Sequence, residues 1–422
     1  MSQNCKLQVG LWPALRSLLR TVLENPVRAE AIKHIRLDAL GLEVNHQKSS
    51  ILVRDSERYE NKDRILMETA IRGIHIPDAD GWYRAIDEKQ HLGATMSLLS
   101  ARCLNLEALE GDIDLFLRNR YFPEMLRRVL SAPRRNNLQC PFDEIARFSV
   151  TCPEEYEVEE QFPTDTFLLL FYLPKLANLA ITAAPSMASS SDFANFEWPL
   201  NSVPIAVNLT TMSLQRSPAS PSTLGLLLRQ TPALRSLLYD CQSLSSAGLI
   251  DLYTLQQALS HVRSTLCDLV IRFDVISDEA LDPENLSFVF HGNLGSLRDF
   301  TSITSLNISF GALYGQHTAA TDMPSLAHVL PPNIERLTIN DDLMHFSALD
   351  RLAGDFVMSQ LKTYFEEEWK SATPRLAEFE LDLRTNAFLS HEHWRSERKP
   401  NELRALISNQ GIKCLVLQDG QE

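Results

Sequence analysis

Glycine is scarce: 15 residues in a chain of 422. Loops that cradle phosphates or present a strained nucleophile need glycine at fixed spacing, because only glycine lets the backbone turn so tightly. No GxxxxGK[ST], GxGxxG or GxSxG occurs. The nearest approach, "HGNLGSL" (291–297), has two glycines but no lysine and no strand-to-helix context, so it is not expected to hold phosphate. Basic charge is short as well: 40 Lys and Arg stand against 54 Asp and Glu, a formal net charge of −14. Nucleic-acid binding draws on a basic face that displaces counterions, and none is expected. "PRRNN" (133–137) is too short to reverse this and "RSERK" (395–399) is flanked by acids; both read as solvated loops.

Paired cysteines are missing too. The seven cysteines (5, 103, 140, 152, 241, 267, 414) are scattered and odd in number, with no CxxC, so buried reduced thiols are expected. Long apolar runs are absent: "TFLLLFYL" (166–173) falls far short of the roughly 20 residues that span a bilayer. The start, "MSQNCKLQVGLW", has neither a basic n-region nor an uninterrupted apolar h-region. A cytoplasmic or nuclear protein is expected, whose sequons at Asn208, Asn285 and Asn307 meet no glycosylation enzyme. With 44% hydrophobic and 22% charged residues, the chain has the composition of a folded protein.

What is present is a rhythm. "LPKLANLAIT" (173–182), "TPALRSLLYD" (231–240), "PPNIERLTIN" (331–340) and "TPRLAEFELD" (373–382) share a proline, then apolar residues at n, n+3 and n+5. Anchors of this kind begin at Ile32, Ile71, Leu106, Ile145, Leu176, Leu209, Leu234, Leu266, Ile303, Ile334, Leu376 and Ile412. At 44% hydrophobics the pattern arises by chance roughly 35 times, so the match alone decides nothing. Two independent features carry it further. Proline stands two residues before the anchor at Pro174, Pro232, Pro332 and Pro374, where it stops a helix and sets an extended lead-in. Between anchors, "STLGLLLRQ" (222–230), "YTLQQALSHVR" (253–263), "DFVMSQLKTYFEEEWK" (355–370) and "NELRALISN" (401–409) read as amphipathic helices. "SLSSAGLIDLYTLQQAL" (243–259) adds a serine-rich N-cap region.

The expected unit is therefore helix, turn and short strand. In the strand, a period of two sends Leu306 and Ile308 to one face and Asn307 and Ser309 to the other. One unit cannot bury its apolar side alone, but stacked neighbours can. The expected fold is α/β, an irregular leucine-rich-repeat-like solenoid of alternating helices and short parallel strands. It is expected to form one domain over 1–422, with loop insertions near 41–64, 152–163 and 184–199.

The strand motif resembles a leucine-rich repeat in a long, irregular form. More narrowly, "LRSLLRTVLENPVRAEAIKHIRLD" (15–38) followed by "LPKLANLAIT" resembles the repeat region of fungal F-box proteins, in which a helix and an "ENP" turn precede the first strand, here "IKHIRLD". The resemblance implies a curved repeat array that recognises protein targets for a ubiquitin ligase. Such proteins carry an F-box, opening on leucine-proline-x-glutamate, before the array. No such stretch is evident, and the first helix is expected from about residue 11.

No catalytic or metal site is expected. His391-Glu392-His393 places two imidazoles at i and i+2, with no third ligand in reach. The carboxylates of "FEEEWK" (365–370) spread around a helix as a solvated face. The expected function is a non-enzymatic scaffold, a monomer without cofactor, nucleic acid or membrane, binding another protein on its strand face. The residues that alternate with the anchors would meet it: Arg36, Asp38, His75, Arg272, Asn307, Ser309, Thr338, Asn340, Glu380 and Asp382. Their drift from mixed charge to polar and acidic suits a partner with basic groups. Two other readings stand beside it. One is the substrate-recognition subunit of an SCF-type ubiquitin ligase whose F-box is missing or degenerate. The other is a hydrolase-like enzyme whose site, assembled from distant loops, joins a cysteine or carboxylate to a histidine.

Overall fold

The computed structural model describes residues 5–8, 12–38, 61–74, 76, 78–132, 140–152, 163–184, 196–244, 249–276, 289–315, 323–342, 355–384 and 398–418. The chain divides into two compact units, Met1–Thr210 and Thr211–Glu422, and each is α/β.

In the first unit, the described strands β1 (Cys5–Gln8), β2 (His34–Asp38), β3 (Ala108–Asp112), β4 (Arg147–Thr151) and β5 (Asn178–Thr182) pair in parallel and in chain order. Parallel neighbours need a crossover. Helices α1 (Trp12–Glu24) and α2 (Pro26–Ala31) lead from β1 to β2. Then α3 (Asn61–Gly73), α4 (Ala79–Asp87) and α5 (Leu92–Arg102) precede β3. Next come α6 (Ile113–Phe116) and α7 (Tyr121–Ser131) before β4, and α8 (Thr164–Leu169) before β5.

In the second unit, β6 (Thr211–Ser217), β7 (Ser236–Leu244), β9 (Asp268–Ile276), β11 (Ser305–Ser309), β12 (Arg336–Asn340), β13 (Glu378–Leu383) and β14 (Lys413–Gln418) form a second parallel series. The short strands β8 (Leu249–Asp251) and β10 (Val289–His291) pair only with each other among the described residues. The helices between are α9 (Pro221–Leu228), α10 (Leu252–Ser260), α11 (Phe310–Tyr314), α12 (Leu326–Val329), α13 (Asp355–Thr363), α14 (Trp369–Ala372) and α15 (Arg398–Ser408). A π-helical turn, Tyr364–Glu368, joins α13 to α14.

The lead-in to each strand explains the rhythm. Leu176 N donates to Leu173 O (3.4 Å), Leu234 N to Thr231 O (3.1 Å) and Leu376 N to Thr373 O (3.0 Å). Each is a four-residue turn with proline second, where its fixed φ is pre-set for the turn. The residue after the anchor then offers its carbonyl to two successive N–H groups of the next unit. Glu107 O accepts from Ala146 N (2.8 Å) and Arg147 N (3.0 Å), and Thr304 O from Glu335 N (2.7 Å) and Arg336 N (3.0 Å). Lys33, Ala146, Arg235, Cys267 and Glu335 do the same. A side-chain rung lies beside this one, formed by the residue before the anchor. Asn105 Nδ2 donates to Glu30 O (2.9 Å), Asn208 Nδ2 to Pro174 O (2.8 Å), Ser302 Oγ to Ser264 O (2.8 Å) and Asn333 Nδ2 to Thr301 O (2.8 Å).

The alternation follows as expected at β11, where Leu306 and Ile308 are buried and Asn307 is half-buried. Four expectations fail. Ile71 lies inside α3, because a three-residue step fits one face of a helix as well as the turn before a strand, and Met67, Ala70 and Ile71 are buried along that face. Residues 61–64, expected in a loop, are the first turn of α3. At the last anchor the register is one residue ahead: Cys414 and Val416 pair with Phe379 and Leu381, which leaves Leu415 41% exposed. The cap of α10 is Asp251, not a serine; its Oδ1 accepts from Thr254 N at 2.9 Å. The strand β1 ahead of the first helix carried no anchor pattern. Within "FEEEWK", Glu366 and Glu367 are exposed, whereas Glu368 is half-buried and its Oε2 is without a hydrogen-bond partner.

Helix α5 is buried on every side, and two of its three hydroxyls, Thr95 and Ser97 but not Ser100, find a partner within the helix or its cap among the described residues. Thr95 Oγ1 donates to His91 O (3.1 Å) and Ser97 Oγ to Gly93 O (2.7 Å). His91 caps the helix through Nδ1, which accepts from Ala94 N at 3.3 Å. Gly93 is required: a Cβ there would stand 2.8 Å from the Asn119 side chain. Asn119, itself 6% exposed, donates to Asp114 O and Leu115 O and accepts from Tyr121 N and Phe122 N, and so fixes the turn between α6 and α7.

Two predictions follow from this packing. Leu306→Ala should cost about 2–5 kcal/mol in chemical denaturation. Asn307→Ala should cost about 1 kcal/mol, since Asn307 Oδ1 accepts from Asn340 Nδ2 at 2.8 Å; equal losses would place the register wrongly. Burial pushes the His91 imidazole down to about 4, with Arg120 and Lys89 adding to the effect. An unfolded histidine titrates near ~6.5, so between these values the unfolded chain holds the proton and the folded one does not. The contribution of His91 to stability should therefore fall as pH drops from about 6.5 toward 4, by on the order of 3 kcal/mol in total. His91→Asn, which caps without titrating, should flatten that dependence in thermal denaturation at pH 7 and pH 5.

Candidate interaction face at the strand ends

At the carboxyl end of the second unit's sheet, the anchors' alternates form a register row. Asp240 pairs with Arg272, Ser309 with Asn340, and Asn340 with Asp382. Open parallel sheets bind their ligands at this end. Arg272 is the centre of the row. Its guanidinium meets Asp342 (Nη2–Oδ1 3.2 Å, Nε–Oδ2 3.4 Å) and reaches Asp382 (Nη1–Oδ2 3.7 Å). Asp342 also accepts from Phe273 N (3.0 Å), which ties the chain beyond β12 back onto β9. Arg384 forks onto Asp382 at 2.8 and 2.9 Å.

The sequence reading placed these alternates in solvent, and at three positions the structure corrects it. Ser309 is fully buried because α11 begins at once after β11, and its Oγ caps that helix by accepting from Ala312 N at 3.1 Å. Asn340 is fully buried, holding Asn307 Oδ1 with its amide and Asp342 N with its carbonyl. Asp382 is 2% exposed under its two arginines. Arg272, Asn307, Thr338 and Glu380 remain half-exposed on the strand face. In the first unit, Arg36 is exposed beside Glu110 (3.8 Å), which Arg147 also approaches (3.6 Å). Asp38 pairs through its backbone with Gln8, and His75 lies outside the described residues.

Reading from sequence missed Asp240, Asp342 and Arg384. Asp240 could have been found by carrying the alternation one step beyond Leu238. Asp342 and Arg384 lie past their strands, where no periodicity marks them. Arg216 was missed as well: it sits at φ +43°, beside a register shift between Leu214 and Ser217, and its N–H donates to Asp240 Oδ2 at 3.1 Å.

Burial pushes the Asp342 carboxyl up to about 6 in spite of Arg272, and raises Asp240. Burial works the same way on Asp382, but the Arg384 fork and Arg272 outweigh it and hold that carboxyl below the usual range. Glu380 is raised by burial and then by the charge of Asp382. Along β13, Glu378, Glu380 and Asp382 share one face. Lys413 meets Glu378 at 3.2 Å and Arg384 covers Asp382, whereas Glu380 stands between Thr338 and Leu415 in the register and no cation pairs with it among the described residues.

Elsewhere, His291 Nδ1 lies 3.1 Å from Asp251 Oδ1, a base-and-orienter geometry. That carboxylate is already occupied as the α10 cap, by Thr254 N and Thr254 Oγ1. Burial pushes Cys103 up to about 12, and Cys241 and Cys414 up to about 11, away from thiolate chemistry. Among the described residues no group of three His, Cys, Asp or Glu could hold a metal ion, and no helix is long and apolar enough to cross a membrane. His391 and His393 lie outside the described residues. No family model matches the chain, and the search of curated proteins returns no match.

The Asp342 carboxyl should titrate near pH 6 by carbon-detected NMR, about two units above an ordinary aspartate. The folded state holds this proton more tightly than the unfolded chain, so Asp342 favours folding increasingly as pH falls from about 7 toward 4. A midpoint near 4 would mean that the Arg272 pair, not burial, governs the group.

Proposed function

We propose that this protein is a non-enzymatic protein–protein interaction scaffold, an irregular leucine-rich-repeat-like array that binds a partner carrying basic groups on the strand face of its second unit. One observation carries the reading. Glu380 is held on that face with no ion-pair partner among the described residues, between two carboxylates that each already have a cation. A lysine or arginine from a partner would relieve the like-charge crowding and complete the stripe. The rest of the row supports recognition over chemistry, because its carboxylates are engaged by guanidinium groups and backbone amides.

A second reading, the substrate-recognition subunit of an SCF-type ubiquitin ligase, is favoured by the turn that prompted the resemblance. Asn25 caps α2, its side chain accepting from Arg28 N at 3.2 Å, with Pro26 in the first turn and β2 following. Both readings share the same binding face and differ in whether ligase subunits accompany it.

Affinity purification with mass spectrometry tests both, with the full chain and Glu380→Lys side by side. The expected result is a partner held by the wild type and weakened at least about tenfold by the charge reversal, about 1.4 kcal/mol. Circular dichroism should show the fold unchanged. A partner retained equally by Glu380→Lys would remove this face from the proposal. Stoichiometric recovery of the F-box-binding subunit of a cullin ligase would favour the second reading.

A further inference from the structure

Three arginines line one open cleft of about 680 Å³ in the first unit, between the turn after α6, the first two turns of α7 and the start of α8. Arg118 comes from the turn, with only 10% of its side chain exposed, and Arg120 and Arg127 stand at the ends of the stretch that enters α7. The wall is rigid, because Asn119 between the first two is locked by its hydrogen bonds and packs against Gly93. In a chain of net charge −14, this concentration of guanidinium groups is notable for what it can accept.

Each arginine leans on a carboxylate: Arg118 Nη1 on Asp114 at 3.3 Å, with its Nη2 on Cys152 Sγ at 3.9 Å, Arg120 Nη2 on Asp78 at 3.9 Å and Arg127 Nη2 on Asp165 at 3.2 Å. Asp78 and Asp165 are more than half exposed, at 56% and 59%, and pairs so open to water contribute little. Asp165 engages a single nitrogen of Arg127; Arg120 Nη2 is shared between Asp78 and the Tyr121 hydroxyl (3.4 Å), with the guanidinium over that ring, so each fork keeps donors uncommitted to carboxylate. The choice of ligand follows from the match of acceptor oxygens to the forks. A monoanion would only exchange one carboxylate for another, and Glu124 and Asp165, which also line the cleft, oppose any anion that does not engage several donors at once. A phosphate dianion brings twice the charge and three acceptor oxygens, which planar guanidinium groups match in pairs.

We propose that this cleft binds a phosphate group in its dianionic form, with Arg120 and Arg127 as the exchangeable clamps and Arg118 as the fixed charge behind them. The chemistry is that of the phosphate group, whether borne by a small molecule or by a phosphorylated peptide.

The test is a calorimetric titration of the full chain at pH 8 with inorganic phosphate, pyrophosphate and a phosphoserine peptide, with acetate as the monoanion. Saturable binding of a phosphate ligand, absent for acetate, is expected. Arg120→Ala and Arg127→Ala should each weaken it about tenfold, and Arg127→Lys should weaken it less, because the charge remains and the fork is lost. Arg375→Ala, on an exposed turn of the second unit, should change nothing. Tighter binding of pyrophosphate would point to a small-molecule source, and tighter binding of the peptide to a protein source. No saturation by about 10 mM of any phosphate ligand, or equal affinity in the arginine variants with their circular dichroism intact, would overturn the proposal.

Discussion

One carbonyl receiving two successive N–H groups from the next unit is the contact on which the rest of this architecture depends. It sits where the chain leaves its turn and enters the strand, and it fixes which residue of one unit faces which residue of the next. Because side chains alternate along a strand, that single choice decides which residues are buried and which are offered outward. The anchor turn before it and the asparagine or serine rung beside it serve the same register. The helices then cover the buried side, and the acidic row emerges on the other.

Much of this was legible because the lead-in has a fixed length. Proline, anchor and the n+3, n+5 pair survive large differences in the connections between them, so the α/β alternation and most strands could be read directly. Ile71 misled because the same spacing also describes a helix face, and no proline or flanking helix was there to arbitrate. The last strand misled for the opposite reason: Ile412, Leu415 and Leu417 satisfy the pattern, but the ladder is set by Lys413 N on Ala377 O, and the pairing runs one residue ahead. Of the candidate face, Arg272, Asn307 and Glu380 were legible as alternates. The burial of Ser309, Asn340 and Asp382 was not, because it comes from residues just past the strand ends: α11 at Ser309, Asp342 at Asn340 and Arg384 at Asp382.

Those flanking residues also explain why charge is buried here at all. Pairs such as Arg272 with Asp342 rarely add net stability, because removing both ions from water offsets most of their attraction. The raised Asp342 carboxyl is the sign of that balance. What the network supplies is direction. Asp342 holds Phe273 N and Arg272 together, Asn340 holds Asn307, and Arg384 shields Asp382. The strand ends are thereby fixed in one arrangement, and Glu380 is left without an ion-pair partner among the described residues.

The carbonyl rung has a kinetic meaning as well. Each one joins a strand to the next strand of its series, across a single connection. The entropy of loop closure is then set by the length of one connection and grows slowly with it. A parallel sheet is ordinarily slow to form because its partners are far apart in sequence. Here the partner of each strand in a series is the next one along it, so the closure to be made is that of one connection.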